Sequence, residues 1–289
     1  MRLVVLTALA LVAFAANSLL CRMALGGERI DPVSFTTLRL VSGALVLAVL
    51  ARRGTTREAT RGPAGSWGSG VALFAYAMAF SLAYQTLSTG MGALILFGAV
   101  QVTMLGAALA AGEALGALQW VGSAAAAGGL VYLVLPGIAA PDPIGALLMG
   151  AAGVAWGVYS IRGRGVSRPV RMTAGNFLRS APLTLVVSAA ALSSARLSPS
   201  GILLALASGI VTSGLGYVLW YSALRSLTTT QAAVVQLLVP VLAAFGGVAL
   251  LSERVSVRLV AASSLILGGV TLALWRRSPA PAATGRGMS

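Results

Sequence analysis

Two arginines, Arg39 and Arg179, stand inside long apolar runs, and their chemistry needs explaining first. A guanidinium at such depth costs at least a few kcal/mol to insert and normally faces protein or water. One use is to draw in an anionic ligand group, since its planar fork suits carboxylate or phosphate. The other is structural: the stem snorkels toward the interface and the head forms an ion pair. Partners are scarce, because the chain has only six carboxylates: Glu28, Asp31, Glu58, Glu113, Asp142 and Glu253. All six fall in loops or near helix ends. Proton relay through a midplane carboxylate is therefore disfavoured, with Glu113 and Glu253 left as the peripheral candidates for such a role. For those two glutamates, capping of a helix N-terminus competes with a gating role.

The remaining inventory mostly excludes. All 20 basic residues are arginine, there is no histidine, and Cys21 is the one cysteine. A His-ligated zinc site, a Ser-His-Asp triad, a Cys-His dyad and an internal disulfide are all impossible. No catalytic residue, metal or cofactor is implied, and the chain reads as no enzyme. What the apolar runs do offer near their middles is aromatic and amide groups: Phe14, Asn17, Tyr76, Phe80, Tyr84, Gln101, Trp156, Tyr159, Tyr217, Tyr221 and Gln236, with Pro240. Tyr76, Phe80 and Tyr84 recur at helical spacing and share one face. A mostly apolar pocket with a few convergent polar groups is the usual small-molecule site; helix packing is the competing use of the same side chains. Pro240 with Gly246-Gly247 marks a kink acceptable beside a cavity.

Hydrophobic residues make up 58% of the 289 and charged residues 9%, too few charges to cover a water-facing surface. Runs long enough to cross a bilayer fall at 3–23, 33–51, 67–87, 90–111, 115–135, 142–161, 171–194, 200–224, 229–250 and 255–275. Backbone groups in lipid must be satisfied within each span, so the expectation is an all-α integral membrane protein of ten helices. The first run is too long, with only Arg2 before it, to read as a signal peptide. With the N-terminus inside, 13 arginines lie on the cytoplasmic side and 5 outside, which places both termini in the cytoplasm. The net charge of +14 follows from that distribution and not from a nucleic-acid surface, which needs clustered basic residues on a solvated domain. Trp67, Trp120 and Trp275 suit interfacial belts. Residues 277–289 read as a disordered cytoplasmic tail.

An internal repeat appears at an offset of 140: Arg22 falls on Arg162, Leu38-Arg39 on Leu178-Arg179, Gly106 on Gly246, Glu113 on Glu253, and Gly128-Gly129 on Gly268-Gly269. Charges are rare here, so the matched Arg and Glu carry the weight. Five spans per unit force the second, 141–276, to lie inverted against the first, 1–140, as in secondary carriers that bind substrate between their halves. Inversion puts Arg39 on the side of Glu253 and Arg179 on the side of Glu113. Any pairing among these four should therefore cross the halves, as Arg39–Glu253 and Arg179–Glu113.

The stretches Thr229-Thr230-Gln231, Leu237-Leu238-Val239-Pro240, Leu251-Ser252-Glu253-Arg254 and Gly268-Gly269 resemble the second repeat of EamA-type transporters, in the drug/metabolite transporter superfamily. Asp31-Pro32, Leu38-Arg39, Leu87-Ser88-Thr89-Gly90 and Gly112-Glu113 agree in the first half, and Ala155-Trp156-Gly157 resembles the family's Trp-Gly dipeptide. Val100 departs from the pattern, which usually has proline there. The resemblance implies export or exchange of small metabolites, often amino acids or related amphipathic compounds, in a bacterial inner membrane. Partners would be substrate and lipid, with a homodimer compatible with the fold, and no nucleic acid. A flippase for lipid-linked compounds on the same scaffold is the alternative, and a purely structural subunit should show a packed, cavity-free midplane.

Overall fold

The computed structural model describes residues 2–53, 65–110, 116–137, 139–163, 168–224, 226–227 and 235–274. Among them lie ten helices and no β-strand beyond one isolated Ile30–Leu197 bridge. In chain order they are α1 (Arg2–Leu25), α2 (Pro32–Arg53), α3 (Trp67–Ala83), α4 (Thr89–Ala110), α5 (Ala117–Val134), α6 (Pro143–Arg162), α7 (Pro169–Ala190), α8, α9 (Leu238–Leu251) and α10 (Val257–Leu274). The eighth is a composite rod: an α-helical piece Pro199–Ala207, a π-helical stretch Ser208–Leu215 and a second α-helical piece Gly216–Leu224.

Six helices are long and apolar enough to cross a bilayer, the longest running Pro199–Ala223, and three shorter ones, α3, α9 and α10, are equally apolar. α7 has the length, 22 residues, but carries Arg171, Asn176, Arg179 and Pro182. Starts follow from local sequence. Proline occupies the first helical turn of α6, α7 and the first piece of α8, where its missing N–H is harmless. Ser66, Asp142 and Ser198 cap α3, α6 and α8 by accepting a backbone N–H.

Aliphatic side chains point outward: Ile144, Leu147, Val186, Leu203, Phe245 and Leu250 are each about 70% exposed. Polar ones point inward, with Arg39, Thr36, Asn176, Ser180, Thr184 and Ser208 fully buried. In water this arrangement would expose an apolar patch far larger than soluble proteins tolerate; in lipid it is the stable one.

The most extensive helix contacts join the two halves of the chain. α5 packs on α10, α2 on α7, and α3 on both α6 and α7, while α4 bridges α6 and α9 and α1 bridges α8 and α9. Small residues permit the closest of these. A Cβ on Gly122 would strike the backbone of Gly269 and Ala273, and one on Gly269 would strike the backbone of Gly122 and Ala126. α5 and α10 thus meet through reciprocal glycines, as helices without a hydrophobic driving force between them must.

At the end of the bundle where α1 finishes, the α1–α2 and α7–α8 connections are zipped together. Asp31 N–H donates to the Arg196 carbonyl at 3.0 Å and Ser198 N–H to that of Arg29 at 3.0 Å. The Asp31 carboxylate accepts from Ser34 N–H and Arg196 N–H, both at 2.9 Å. Partial burial pushes this carboxyl up, but those backbone and side-chain hydrogen bonds outweigh it, and its pKa lies below the ordinary 3.8. Its stabilising contribution is therefore complete above that value and disappears as pH falls through the lower, folded one. Asp31→Asn is expected to flatten the acid limb of stability: thermal midpoints measured in detergent from neutral pH down to about 3 should fall less steeply than in wild type.

Candidate central cavity

The wide turn of the π-helical stretch decides what the middle of α8 presents. A π-helical segment shifts side-chain register and is frequent at functional sites. Here it turns three hydroxyls, Ser208, Thr212 and Ser213, into the bundle, all of them buried. Asn17 on α1 receives two: its Oδ1 accepts from Ser208 Oγ at 2.7 Å and Thr212 Oγ1 at 3.1 Å. α2 can approach because Gly209 has no side chain; a Cβ there would strike the Arg39 carbonyl and Ser42 Oγ.

Around this seam lies a narrow cavity lined by Phe14, Asn17 and Ser18 of α1, Tyr76 and Phe80 of α3, Leu96 and Phe97 of α4, Trp156 of α6, and Thr212, Ser213 and Tyr217 of α8. It is tight in this conformation, with about 20 Å3 open to the centre of a water molecule, roughly room for one. Trp156 is its hub. The indole lies 4.9 Å from the Tyr76 ring, 5.2 Å from Tyr217, 5.5 Å from Tyr159 and 6.4 Å from Phe14, centroid to centroid. Next to it, Gly157 and Gly153 let α6 lie flat on Thr103 and Leu96 of α4. The Trp-Gly dipeptide thus combines a large ring aimed inward with a close helix crossing.

Of the twelve residues expected from sequence to line a cavity, six do so: Phe14, Asn17, Tyr76, Phe80, Trp156 and Tyr217. Tyr84 is buried beyond its wall, its ring edge-to-face with Phe80 at 4.7 Å between centroids and its hydroxyl donating to the Thr89 carbonyl. Tyr159 lies on the far side of Trp156 and accepts from Asn176 Nδ2 at 3.4 Å, and Tyr221 lies 6.5 Å beyond Tyr217. Gln101 and Gln236 are half-buried outside the lining. Pro240 instead borders a lateral cleft of about 330 Å3 between α4, α9 and α10. Ser18, Leu96, Phe97, Thr212 and Ser213 line the cavity without having been expected there. The available signal was Ser208-Gly209 followed by Thr212-Ser213-Gly214, hydroxyls and glycines alternating within an apolar span.

Arg39 is 1% exposed and stands directly behind the cavity wall. Its Nε donates to Ser213 Oγ at 3.1 Å and its Nη2 to Tyr76 OH at 3.2 Å. The guanidinium carbon lies 5.4 Å from the Tyr76 ring and 5.3 Å from Phe80, close enough for cation–π attraction. Its Nη1 has no partner, and among the described residues no carboxylate pairs with it. The expected Arg39–Glu253 pair is thus not formed, for a geometric reason: Glu253 is engaged elsewhere. Arg179 donates to the Gly175 carbonyl at 2.9 Å, and its expected partner Glu113 lies outside the described residues, as do residues 228–234 and the tail.

Glu253 meets Arg22 instead, with Arg22 Nε 3.5 Å from Oε1. The carboxylate also accepts from Thr89 N–H, 2.9 Å from Oε2, and from Thr89 Oγ1 at 3.1 Å. It thereby caps α4 at the positive end of that helix. Arg22 Nη1 in turn donates to the Tyr84 and Gln85 carbonyls, at 3.1 and 2.9 Å, where α3 ends. One ion pair thus joins the end of α1, the end of α3, the start of α4 and the α9–α10 connection, closing this end of the bundle above the cavity. The glutamate thus caps α4 rather than the helix that follows it, and its ion pair is with Arg22 rather than the expected Arg39. At the opposite end Arg162 Nε donates to Ser69 Oγ at 3.2 Å, tying α6 to the start of α3.

Ten helices that turn aliphatic side chains outward and hide hydroxyl, amide and aromatic groups define a multi-pass integral membrane protein. The EamA-like transporter family matches residues 143–275. An uncharacterized protein of Pseudomonas aeruginosa is 53% identical over 274 residues, 94% of each chain. A solved crystal structure at 25% identity superposes with a TM-score of 0.64, covering 92% of this chain and 97% of its own. The chain belongs to the EamA-like transporter family, consistent with the drug/metabolite transporter superfamily.

Proposed function

We propose that this protein is a secondary carrier that exports or exchanges small metabolites, amino acids or related amphipathic compounds, by alternating access through the central cavity. The observation that carries this reading is the cavity's composition and place. Both halves of the chain contribute to its wall, it holds a few polar groups among aromatic faces, and it lies between two separately tied ends of the bundle. A purely structural subunit gains nothing from an arginine, hydroxyls and an amide gathered at depth, where each costs energy to bury. The reciprocal α5–α10 glycines and the α2–α7 pairing support the halves 1–140 and 141–276 as inverted five-helix repeats, because a twofold axis in the membrane plane brings equivalent helices together. The arginine distribution favours both termini in the cytoplasm of a bacterium and the Arg22–Glu253 pair on the outer face.

In this scheme substrate enters when one end of the bundle opens. Uptake and efflux of a labelled metabolite panel in proteoliposomes, with and without a pH gradient, tests the reading; no movement of any compound above protein-free vesicles would overturn it. Little acceleration by the gradient is expected, since no carboxylate lines the cavity. Trp156→Ala should change which compounds are accepted, with KM shifting by about tenfold or more for ring-bearing substrates, while expression and thermal stability change less. Equal loss of both would mark Trp156 as packing.

A second reading, a flippase for lipid-linked compounds, rests on the lateral cleft between α4, α9 and α10. Its walls are aliphatic apart from Ser263 and Ser264 and hold no charge for a headgroup, so the central cavity is the stronger site.

A further inference from the structure

Within the carrier reading, on which this inference rests, the polar groups of the cavity also specify the charge of what binds. Arg39 contributes a full positive charge with no described carboxylate to neutralise it. That charge is not in the cavity wall but one atom behind it, delivered through two hydroxyls. Tyr76 OH and Ser213 Oγ each accept from the guanidinium. Each keeps its own proton, and no described hydrogen bond takes either of them. A hydroxyl that accepts from a cation is polarised, and its own O–H becomes a stronger donor. A third hydroxyl, that of the cavity-lining Tyr217, is buried with no partner among the described residues. Buried hydroxyls in native proteins are nearly always satisfied, so one left open beside a cavity points to a ligand.

Three hydroxyl donors among the lining residues, two of them backed by a cation with no described carboxylate partner, describe a receptor for an anion. The acceptor side is poor. Asn17 Oδ1 is already occupied by two hydroxyls, and neither Asp nor Glu lines the cavity. An ammonium group would find aromatic faces and neutral hydroxyl or amide oxygens but no described carboxylate, and it would meet the field of Arg39. Phe14, Phe97 and Trp156 complete the lining with apolar faces that suit an apolar body. We propose that the cavity receives the carboxylate of a small organic acid with an apolar or aromatic body, Tyr76, Ser213 and Tyr217 donating directly and Arg39 acting behind them as positioning residue and counter-charge. Zwitterions are accepted second to monoanions, and net cations are rejected. With substrate bound, the site is neutral; empty, it carries one positive charge. Net export of a monoanion therefore moves charge, and an inside-negative potential drives it.

Three probes sharing one ring separate the head groups: phenylpropionate, phenylalanine and phenylalaninamide. Binding is read by thermal shift and indole fluorescence in detergent, and efflux by proteoliposomes, both at about pH 6, where the carboxylates are ionised and the amine of the amide is protonated. Phenylpropionate is expected to bind most tightly and phenylalaninamide not to bind. Arg39→Gln should weaken the acid by about tenfold or more, with Arg39→Lys recovering part of the loss. Ser213→Ala and Tyr76→Phe, milder changes that keep the fold, should each weaken the acid several-fold without gaining the amide. An inside-negative valinomycin potential should accelerate phenylpropionate efflux. Binding of the amide as tightly as the acid, or acid binding unchanged in folded Arg39→Gln and in both milder variants, would overturn the assignment, as would the absence of acid binding to wild type. Acid binding without transport by the same preparation would instead count against the carrier reading and leave the carboxylate site standing.

Discussion

Replacing Gly209 by valine is expected to abolish the seam between α2 and the π-helical stretch of α8. The obstruction is backbone, not a flexible side-chain tip: a Cβ at Gly209 meets the Arg39 carbonyl as well as Ser42 Oγ, and no rotamer relieves a carbonyl. Forced overpacking of this kind costs about 3 kcal/mol or more, which for a chain of this size lowers the thermal midpoint by roughly 6–12 °C. The displacement would carry Arg39 away from Tyr76 and Ser213, so binding should fail together with stability. Gly128→Ala is the matched control. A Cβ there meets nothing within 4 Å, and exchanging glycine for alanine within a helix favours the folded state by about 0.5–1 kcal/mol. Unchanged stability of Gly209→Val would show that α2 does not approach α8 as described.

Glu253→Gln is expected to open the Arg22 end of the bundle. The variant keeps size and one acceptor but loses the charge that faces Arg22 and the positive end of α4. A hydrogen-bonded charge of this kind is worth about 1.5–3 kcal/mol, discounted here because Arg22 retains about a quarter of its side-chain exposure. A shift of about tenfold in the balance between closed and open forms follows. Hydrogen exchange reads it directly, since Thr89 N–H is held by the carboxylate: exchange over Thr89–Gly92 should quicken by about that factor. Arg22→Gln should do the same, and the double variant should add little, because both changes break one network. Protection unchanged in both single variants would remove this contact from any gating role.

The architecture was largely legible because its signal is chemical and coarse. Apolar length, proline and glycine breaks and arginine placement mark helices whatever their partners, and the helices begin at Pro32, Pro143, Pro169 and Pro199 as those breaks suggest. Residue pairing was not. Arg39 and Glu253 share an end by symmetry of spacing, yet spacing sets depth and not rotation about the helix axis. Arg22, at the last turn of α1, faces Glu253 while Arg39 faces α3 and α8. The π-helical stretch was invisible for a related reason: an extra residue per turn leaves hydropathy unchanged while moving Thr212 and Ser213 onto the inner face. Small residues on α5 look alike in sequence, yet only some of them pack. Gly122 and Gly129 touch α10, whereas Gly128 faces open space. Aromatic residues were placed by depth alone, so those at the cavity and those one turn beyond it, Tyr84, Tyr159 and Tyr221, could not be told apart.

Cysteine accessibility at Leu96 tests the central claim most directly, because that side chain lines the cavity without joining its hydrogen bonds. In a background where buried Cys21 is alanine, Leu96→Cys should react with a membrane-impermeant thiol reagent added from either face of the membrane. A transported compound should slow that reaction from both. A cysteine inert from both faces, in a protein that still moves the same compound, would place the transport path elsewhere.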